Sequence, residues 1–264
     1  MENIMKPAPH RILDVVKETQ AEYTFRVAYE GETRHGQFFQ LSIPKVGEAP
    51  ISVSGKGEGY VEFTIRKIGR LTQGIFGLGP GDVLFMRGPY GTCFPIEEFR
   101  GKALVVICGG TGMAPVKTLL THFAAHPEET GQVYLIAGFK NAGSVLFTDT
   151  LERFRALEHF HTIYTLDSGS APGFETGMVT AHIPSIPFGE LTDYRVAIVG
   201  PPPMMRFSAQ ACLDCGAAAE KLWVSFERKM SCAVGKCGHC KINETYVCLE
   251  GPVFPYTRAR ELFD

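Results

Sequence analysis

Two hydrophobic patterns divide the chain. Over residues 10–97 the apolar positions come in short aromatic and β-branched runs: His10–Lys17, Glu22–Tyr29, Gly36–Ile43, Tyr60–Arg66 and Asp82–Arg87. Glycine and proline separate them, at Gly31, Pro44, Gly47, Gly55 to Gly59 and Pro80-Gly81. Short strands at this spacing predict a small antiparallel barrel, interrupted by one short helix at Leu71–Phe76. The pattern changes at Gly101. Apolar runs at Ala103–Cys108, Gln132–Gly138, His161–Leu166, Tyr194–Val199 and Lys221–Phe226 read as buried strands. Helical stretches at Ala114–Ala125, Leu151–Leu157 and from Met204 to Cys215 lie between them. Alternating strands and helices predict a parallel sheet covered on both faces. The last strand runs almost directly into a glycine- and cysteine-rich segment, which places that segment at the carboxyl edge of the sheet, where ligands of open α/β sheets bind.

With 264 residues the chain is long enough for two domains and a small appendage, and 45% hydrophobic residues support ordinary cores. A formal charge of −2 gives no basic footprint, so nucleic acid is not expected as a partner. No apolar run reaches membrane-span length, and Met-Glu-Asn-Ile-Met-Lys-Pro lacks the apolar segment of a signal peptide. Eight cysteines without such a leader point to reduced thiols, metal and a cytoplasmic protein.

The chemistry concentrates in Cys232-Ala-Val-Gly-Lys-Cys237-Gly-His-Cys240, followed by Cys248. The spacing C-x4-C-x2-C-x7-C suits a [2Fe–2S] cluster of plant-ferredoxin type, with three thiolates on a tight loop and the fourth after a short excursion. Gly235 and Gly238 let the backbone fold over the inorganic sulfides and aim N–H groups at them. Structural zinc remains an alternative, although it usually takes two separated C-x2-C knuckles. Disulfides need an oxidising compartment, and a Rieske centre needs a second local histidine beside His239.

Gly109-Gly-Thr-Gly112 joins a strand to a helix, where glycines permit close backbone approach and a helix N-terminus favours phosphate. It is not the G-x-G-x-x-G fingerprint, and a plain glycine turn reads equally well from this motif alone. Gly200-Pro201-Pro202 closes the fourth α/β strand and either stiffens a loop or offers its backbone to a nicotinamide. In the barrel, Ala49-Pro-Ile-Ser-Val-Ser54 and Gly69-Arg-Leu-Thr72 carry Ser52 and Thr72, and Arg66 offers charge to a phosphate. Taken singly, these three also read as surface polar groups. Cys212 and Cys215 fall late in a helix and read as plain packed or surface thiols, Cys108 in a core strand reads as a core residue, and Cys93 has no partner at ligand spacing.

Taken in order, P-I-S, G-x-x-T, G-P-Y-G, G-G-T-G-M-A-P, G-P-P and the cysteine loop resemble the ferredoxin-NADP reductase superfamily over nearly the whole chain. The C-terminal cysteine loop narrows the resemblance to the group containing the electron-transfer subunit of dihydroorotate dehydrogenase. Pro44 to Ser54, Gly109 to Lys117, Val199 to Pro203 and Val234 to Cys240 are most similar to the anaerobic sulfite reductase B-subunit family. The resemblance implies a flavin-binding barrel over residues 1–99, an NAD(H)-binding α/β domain over 100–226 and a small [2Fe–2S] domain over 227–264. It places Pro50, Ile51 and Ser52 on the isoalloxazine of FAD, and Arg66 and Thr72 by the flavin phosphates. Gly110, Thr111 and Gly112, with Gly200 and Pro201, would cradle NADH. Cys232, Cys237, Cys240 and Cys248 would hold the cluster. One departure is Ala49, where the superfamily motif begins with arginine; Lys45, Arg66 or Lys67 stand near to supply the missing charge.

The function implied is an electron-transfer subunit that oxidises NADH through FAD and a [2Fe–2S] cluster. Its partners would be a ferredoxin-like iron–sulfur subunit and a catalytic subunit reducing sulfite to sulfide. No acid–base side chain is nominated, since hydride transfer requires none. Asp167 favours NADH by accepting from a ribose hydroxyl, against Lys140, which would attract a 2′-phosphate. Two alternatives stand beside this: the electron-transfer subunit of dihydroorotate dehydrogenase or of a hydrogenase, and a zinc-stabilised interaction module.

Overall fold

The computed structural model describes residues 4–263; the first three residues of the expected leaderless N-terminus and Asp264 lie outside them. Strands β1 (Ala8–Lys17), β2 (Glu22–Ala28), β3 (Phe38–Ile43), β4 (Gly47–Gly57), β5 (Tyr60–Arg66) and β6 (Val83–Tyr90) close an antiparallel barrel in the order β1-β2-β5-β4-β3-β6. Inward positions such as Phe25, Phe39, Leu41, Val53, Phe63, Ile65 and Leu84 alternate along these strands and fill the interior. Helix α1 (Arg70–Ile75) lies between β5 and β6, one residue ahead of its predicted place. Within the barrel, the unpredicted strand is β4. Its glycines read as punctuation, but it pairs with β3 on one side and β5 on the other, with a shift of register between Val53 and Gly55.

After the short α2 (Ile96–Phe99), strands β7 (Ala103–Gly109), β8 (Val133–Phe139), β9 (Phe160–Leu166), β10 (Glu175–Thr176), β11 (Tyr194–Val199) and β12 (Leu222–Ser225) form a parallel sheet. Its covering helices are α3 (Met113–Ala125), α4 (Thr148–Arg155) and α5 (Pro202–Asp214). The sheet order is β10-β9-β8-β7-β11-β12-β15, and its last strand comes from the far end of the chain: β15 (Val253–Pro255) adds antiparallel to β12. Between them the chain forms the cysteine loop, a two-residue hairpin of β13 (Lys241–Ile242) and β14 (Thr245–Tyr246), and α6 (Val247–Glu250); α7 (Tyr256–Ala259) follows β15.

One face of the sheet is covered by α5 together with Met230, Ala233, Cys240, Val247, Cys248 and Phe254, so the cysteine segment shares the sheet's core. The other face packs on α3, α4 and Phe99. Helix α3 also packs against barrel strand β4, so its two sides join barrel and sheet. Among the described residues no helix is long and apolar enough to cross a membrane.

Candidate functional site

Three features lie side by side. The first is a cavity of about 1600 Å³ over the carboxyl ends of β7 and β8. Gly109, Gly110, Gly138, Asp167 and Pro201 line it from the sheet side, Met204 and Phe207 from α5, and Lys17 to Glu22 with Arg66 from the barrel. That is where an open parallel sheet receives its ligand. Exposed Phe207 and Met178 stand on its walls as apolar surface. Asp167 and Lys140 both line it, and their stretch is fixed by the Asp167 and Ser168 amides donating to the carbonyls of Phe139 and Lys140.

The five residues predicted to cradle a nucleotide separate here. Gly110 and Pro201 line the large cavity. Thr111 lines the neighbouring, smaller one. Gly200 and Gly112 are buried against each other: a Cβ on Gly112 would lie 2.4 Å from the carbonyl oxygen of Val199 and 2.8 Å from Gly200 Cα. Gly112 therefore admits a neighbouring strand end. Of Gly110, Gly112 and Gly200, it is Gly110, with φ of +54° and open space beyond it, that lines the cavity.

The second feature is a cavity of about 480 Å³ between the barrel, α3 and the segment after β12. Pro50, Ile51, Ser52, Arg66 and Thr72 all line it, as do Ala49, Ala114 and Pro115. Ser52 makes no side-chain hydrogen bond among the described residues, so its hydroxyl is available to a ligand. Thr72 is engaged: its hydroxyl accepts from the amides of Ile68 and Gly69 at 3.0 and 2.9 Å and donates to the Gly69 carbonyl. It caps α1 and shapes the loop beside the cavity. Of the three cations near the Ala49 gap, Arg66 is the one that lines the cavity. It lines the larger cavity as well, held there by an ion pair with buried Glu22. A planar ring with an anionic tail fits this lining of apolar side chains, the Ser52 hydroxyl and the Arg66 guanidinium, beside which Arg228 and Lys229 add positive charge and Glu227 a carboxyl.

The third feature is the cysteine loop. Its chain first runs through Phe226 to Met230, the far wall of the smaller cavity. Cys232, Cys240 and Cys248 are buried and Cys237 is exposed. The thiols of Cys232 and Cys237 are in contact, as are those of Cys240 and Cys248. Among the described residues no three His, Cys, Asp or Glu side chains converge on a single ion position. The four thiols, held in two pairs, form the donor set of this loop. The backbone supports anionic sulfur. Amides of Val234, Lys236 and Cys237 donate to Cys232 Sγ at 3.3–3.5 Å, and that of Gly235 donates to Cys248 Sγ at 3.3 Å. Left-handed backbone at Ala233, Gly235 and Gly238 turns those amides inward. A backbone hydrogen bond from His239 leads the interactions that bring the Cys237 thiol down to about 7, while burial pushes Cys248 up to about 12. The donor set thus fits an iron–sulfur cluster.

Sequence reasoning missed two groups that hold these features together. Gln40, fully buried, donates to the Met230 carbonyl at 3.1 Å, and Arg87 donates to those of Ser231 and Cys232 at 2.8 and 2.7 Å. Arg87 entered the sequence reading only as the end of the run Asp82–Arg87, and no local pattern marks it. The remaining cysteines behave as read: Cys108 and Cys212 are buried, and burial pushes both up to about 12.

Two family models match stretches of the chain. The family described as Oxidoreductase NAD-binding domain matches residues 106–210. The family described as Iron-sulfur cluster binding domain of dihydroorotate dehydrogenase B matches residues 227–259. The chain is 33% identical to Sulfhydrogenase 1 subunit gamma of Pyrococcus furiosus, over 93% of this chain and 89% of that protein. It is also 33% identical to a probable dihydroorotate dehydrogenase B (NAD(+)) electron transfer subunit of Methanothermobacter thermautotrophicus, over 96% and 91%. Among solved structures, the NADH-dependent reduced ferredoxin-NADP oxidoreductase studied for flavin-based electron bifurcation superposes with a TM-score of 0.78, covering 97% of this chain and 93% of that one at 20% identity. A ferredoxin NADP+ reductase from Neisseria gonorrhoeae gives 0.70, covering 83% and 98% at 22% identity. These two likenesses establish a ferredoxin-NADP reductase-like fold.

Proposed function

The chain belongs to the family of electron-transfer subunits that includes the sulfhydrogenase γ subunits and the dihydroorotate dehydrogenase B electron transfer subunits, and from that premise we propose that it is a cytoplasmic, NADH-oxidising subunit carrying FAD and a [2Fe–2S] cluster. Flavin, when bound, supplies the conversion between two-electron donor and one-electron acceptor. The chain's own residues supply position. Pro50, Ile51 and Ser52 offer β4 as a straight edge for the ring. Arg66, on the wall common to both cavities, neutralises phosphate charge, with Thr72 holding the loop beside it. Gly110 and Pro201 leave backbone open toward the nucleotide at the sheet's carboxyl end. Thr111 reaches the smaller cavity from the turn that follows Gly110, so one turn touches both sites. Cys232, Cys237, Cys240 and Cys248 hold the cluster under donated amides. Hydride transfer itself requires no acid–base side chain; the proton left when the electrons depart singly goes to solvent.

The observation that carries the reading is the run from Phe226 to Cys232. It is a wall of the smaller cavity at one end and the first cluster thiol at the other, with a single residue between Met230 and Cys232. Protein purified without oxygen should hold about two irons and two acid-labile sulfides per chain and one flavin, and NADH should bleach the flavin absorbance. Stoichiometric zinc without labile sulfide would overturn it and restore the interaction-module alternative.

Electrons leave to a catalytic partner subunit. The relatives' names support a hydrogenase-type or dihydroorotate dehydrogenase-type partner, and the likeness extends along nearly the whole chain. The second reading, a sulfite-reducing subunit with a ferredoxin-like subunit, is favoured by the stretches Pro44 to Ser54 and Val234 to Cys240. Capture of the chain with its native partner from anaerobic cells, followed by assays with hydrogen, dihydroorotate and sulfite, decides between them.

A further inference from the structure

Arg87 joins the barrel to the cysteine loop. Its side chain is 4% exposed. Nε and Nη2 form a fork on the Glu48 carboxylate at 2.8 and 2.6 Å. Nη1 donates to the Cys232 carbonyl at 2.7 Å and to Tyr90 Oη at 3.2 Å, and Nη2 donates to the Ser231 carbonyl at 2.8 Å. A barrel guanidinium is therefore spent on two consecutive peptides of the cysteine loop, the second being that of the first cluster thiol.

Three facts give this arrangement a direction. The carbonyls of Ser231 and Cys232 are drawn toward the barrel, while the amides that follow, at Val234, Lys236 and Cys237, donate to Cys232 Sγ. A peptide that turned its carbonyl toward the sulfur would oppose added negative charge; these are held the other way. Arg87 also lies directly across β3 and β6 from Gln40, and Gln40 across β3 and β4 from Pro50. Pro50 faces the smaller cavity, Gln40 holds Met230, and Arg87 holds Ser231 and Cys232. One row of cross-strand neighbours thus spans from the proposed flavin edge to the first cluster ligand. Finally, the carboxylate paired with this charge among the described residues is that of Glu48, which is 26% exposed.

We propose that Arg87 is a positioning residue for the iron–sulfur cluster: with Gln40 it fixes the loop at Met230–Cys232 relative to the flavin edge, and its charge stabilises the cluster's reduced form. This rests on the cluster reading above. A charge buried near a redox centre shifts its potential because the low-dielectric surroundings screen it poorly.

The test is the cluster's midpoint potential, followed by EPR during an anaerobic titration, with iron, sulfide and flavin content measured on the same samples. Arg87→Met should shift the midpoint to more negative values, and Arg87→Lys, which keeps the charge, should return most of the way. Glu48→Gln leaves every bond from Arg87 to the loop in place and removes its counter-charge, so it should shift the midpoint to more positive values. Opposite shifts in cluster-loaded protein support the proposal, since loosened packing would move both variants alike. Midpoints that stay at the wild-type value, or that move in the same direction, overturn it. If Arg87→Met cannot hold iron, Glu48→Gln decides alone: a positive shift supports the proposal and no shift overturns it. Wild-type protein lacking labile sulfide would instead overturn the cluster reading itself, a result visible before any variant is made.

Discussion

Gly110 and Gly112 stand two residues apart in one turn and carry different burdens. At Gly112 the first atoms an added methyl meets are backbone atoms of Val199 and Gly200, which have no rotamer in which to yield. Gly112→Ala should therefore lower stability by about 1–3 kcal/mol through overpacking, read as an earlier thermal midpoint, while the folded fraction binds NADH normally. Gly110 has open space but a left-handed backbone, so Gly110→Ala costs about 1–2 kcal/mol of strain and puts a methyl at the cavity wall. Its NADH dissociation constant, from a fluorescence titration, should rise with flavin and iron content unchanged. The reverse ranking would place the nucleotide elsewhere. The motif G-G-T-G marked the turn but not this division of labour, because which glycine faces the ligand depends on where β11 ends, a contact 87 residues away in sequence. The thiols were legible because their spacing is local. Arg87 was not, because its partners are about 145 residues distant along the chain.

At the scale of elements, the barrel and sheet are fastened by α3 and by the loop before α4. Lys117 of α3 pairs with Glu62 of β5 at 3.2 Å, both side chains 12% exposed, and Glu62 also takes Arg26 at 2.8 Å. The Phe147 amide, at a left-handed residue capping α4, donates to Glu18 at 3.0 Å, and the Lys117 ammonium sits 4.5 Å over the Phe147 ring. Burial raises the pKa of Glu62, but Lys117 and Arg26 together outweigh it, so the carboxyl titrates below its ordinary value of 4.5. A carboxyl depressed in the folded state contributes stability that is present above that value and lost as pH falls through the lower, folded pKa. Lys117→Met should cost about 1–3 kcal/mol at neutral pH, because it strips a buried carboxylate of one of its two partners. It should also flatten the fall in stability on acidification below pH 4.5. Denaturant unfolding at pH 7 and pH 4 measures both; equal losses at the two pH values would show that the charge of Glu62 contributes nothing through Lys117. Most elements were legible from periodicity, since the core strands and helices run as the apolar pattern dictates. Two were not. Strand β4 carries glycines and a register shift where a strand normally carries β-branched residues, and β15 is a three-residue strand whose reason for existing is the exposed edge of β12.

For the molecule as a whole, the order of the features predicts which functions separate. The segment that walls the smaller cavity is anchored by bonds that involve no thiol: the Phe226 amide donates to the Pro252 carbonyl at 2.9 Å, β12 pairs with β15, and Gln40 holds Met230. Pro252 lines the same cavity. Loss of a thiol deep in the loop should therefore leave the cavity wall standing. Cys240→Ser removes one of the inner pair, Cys240 and Cys248, and should cost the protein most of its iron and labile sulfide. The same variant should still carry flavin, because Pro50, Ile51, Ser52, Arg66 and Thr72 belong to the barrel, and should still bind NADH, because Gly110 and Pro201 belong to the sheet. In stopped-flow mixing with NADH its flavin should bleach at close to the wild-type rate, and it should reduce a two-electron dye. NADH-dependent turnover of the partner subunit should be lost, since one-electron delivery depends on the loop. Full partner turnover by a variant shown to lack iron would make the thiol loop a structural clasp. Failure of flavin bleaching in a variant with full flavin content would mean that the loop reaches into the nucleotide's approach to the barrel, and the physical separation of the two cavities from the thiols would have to be redrawn.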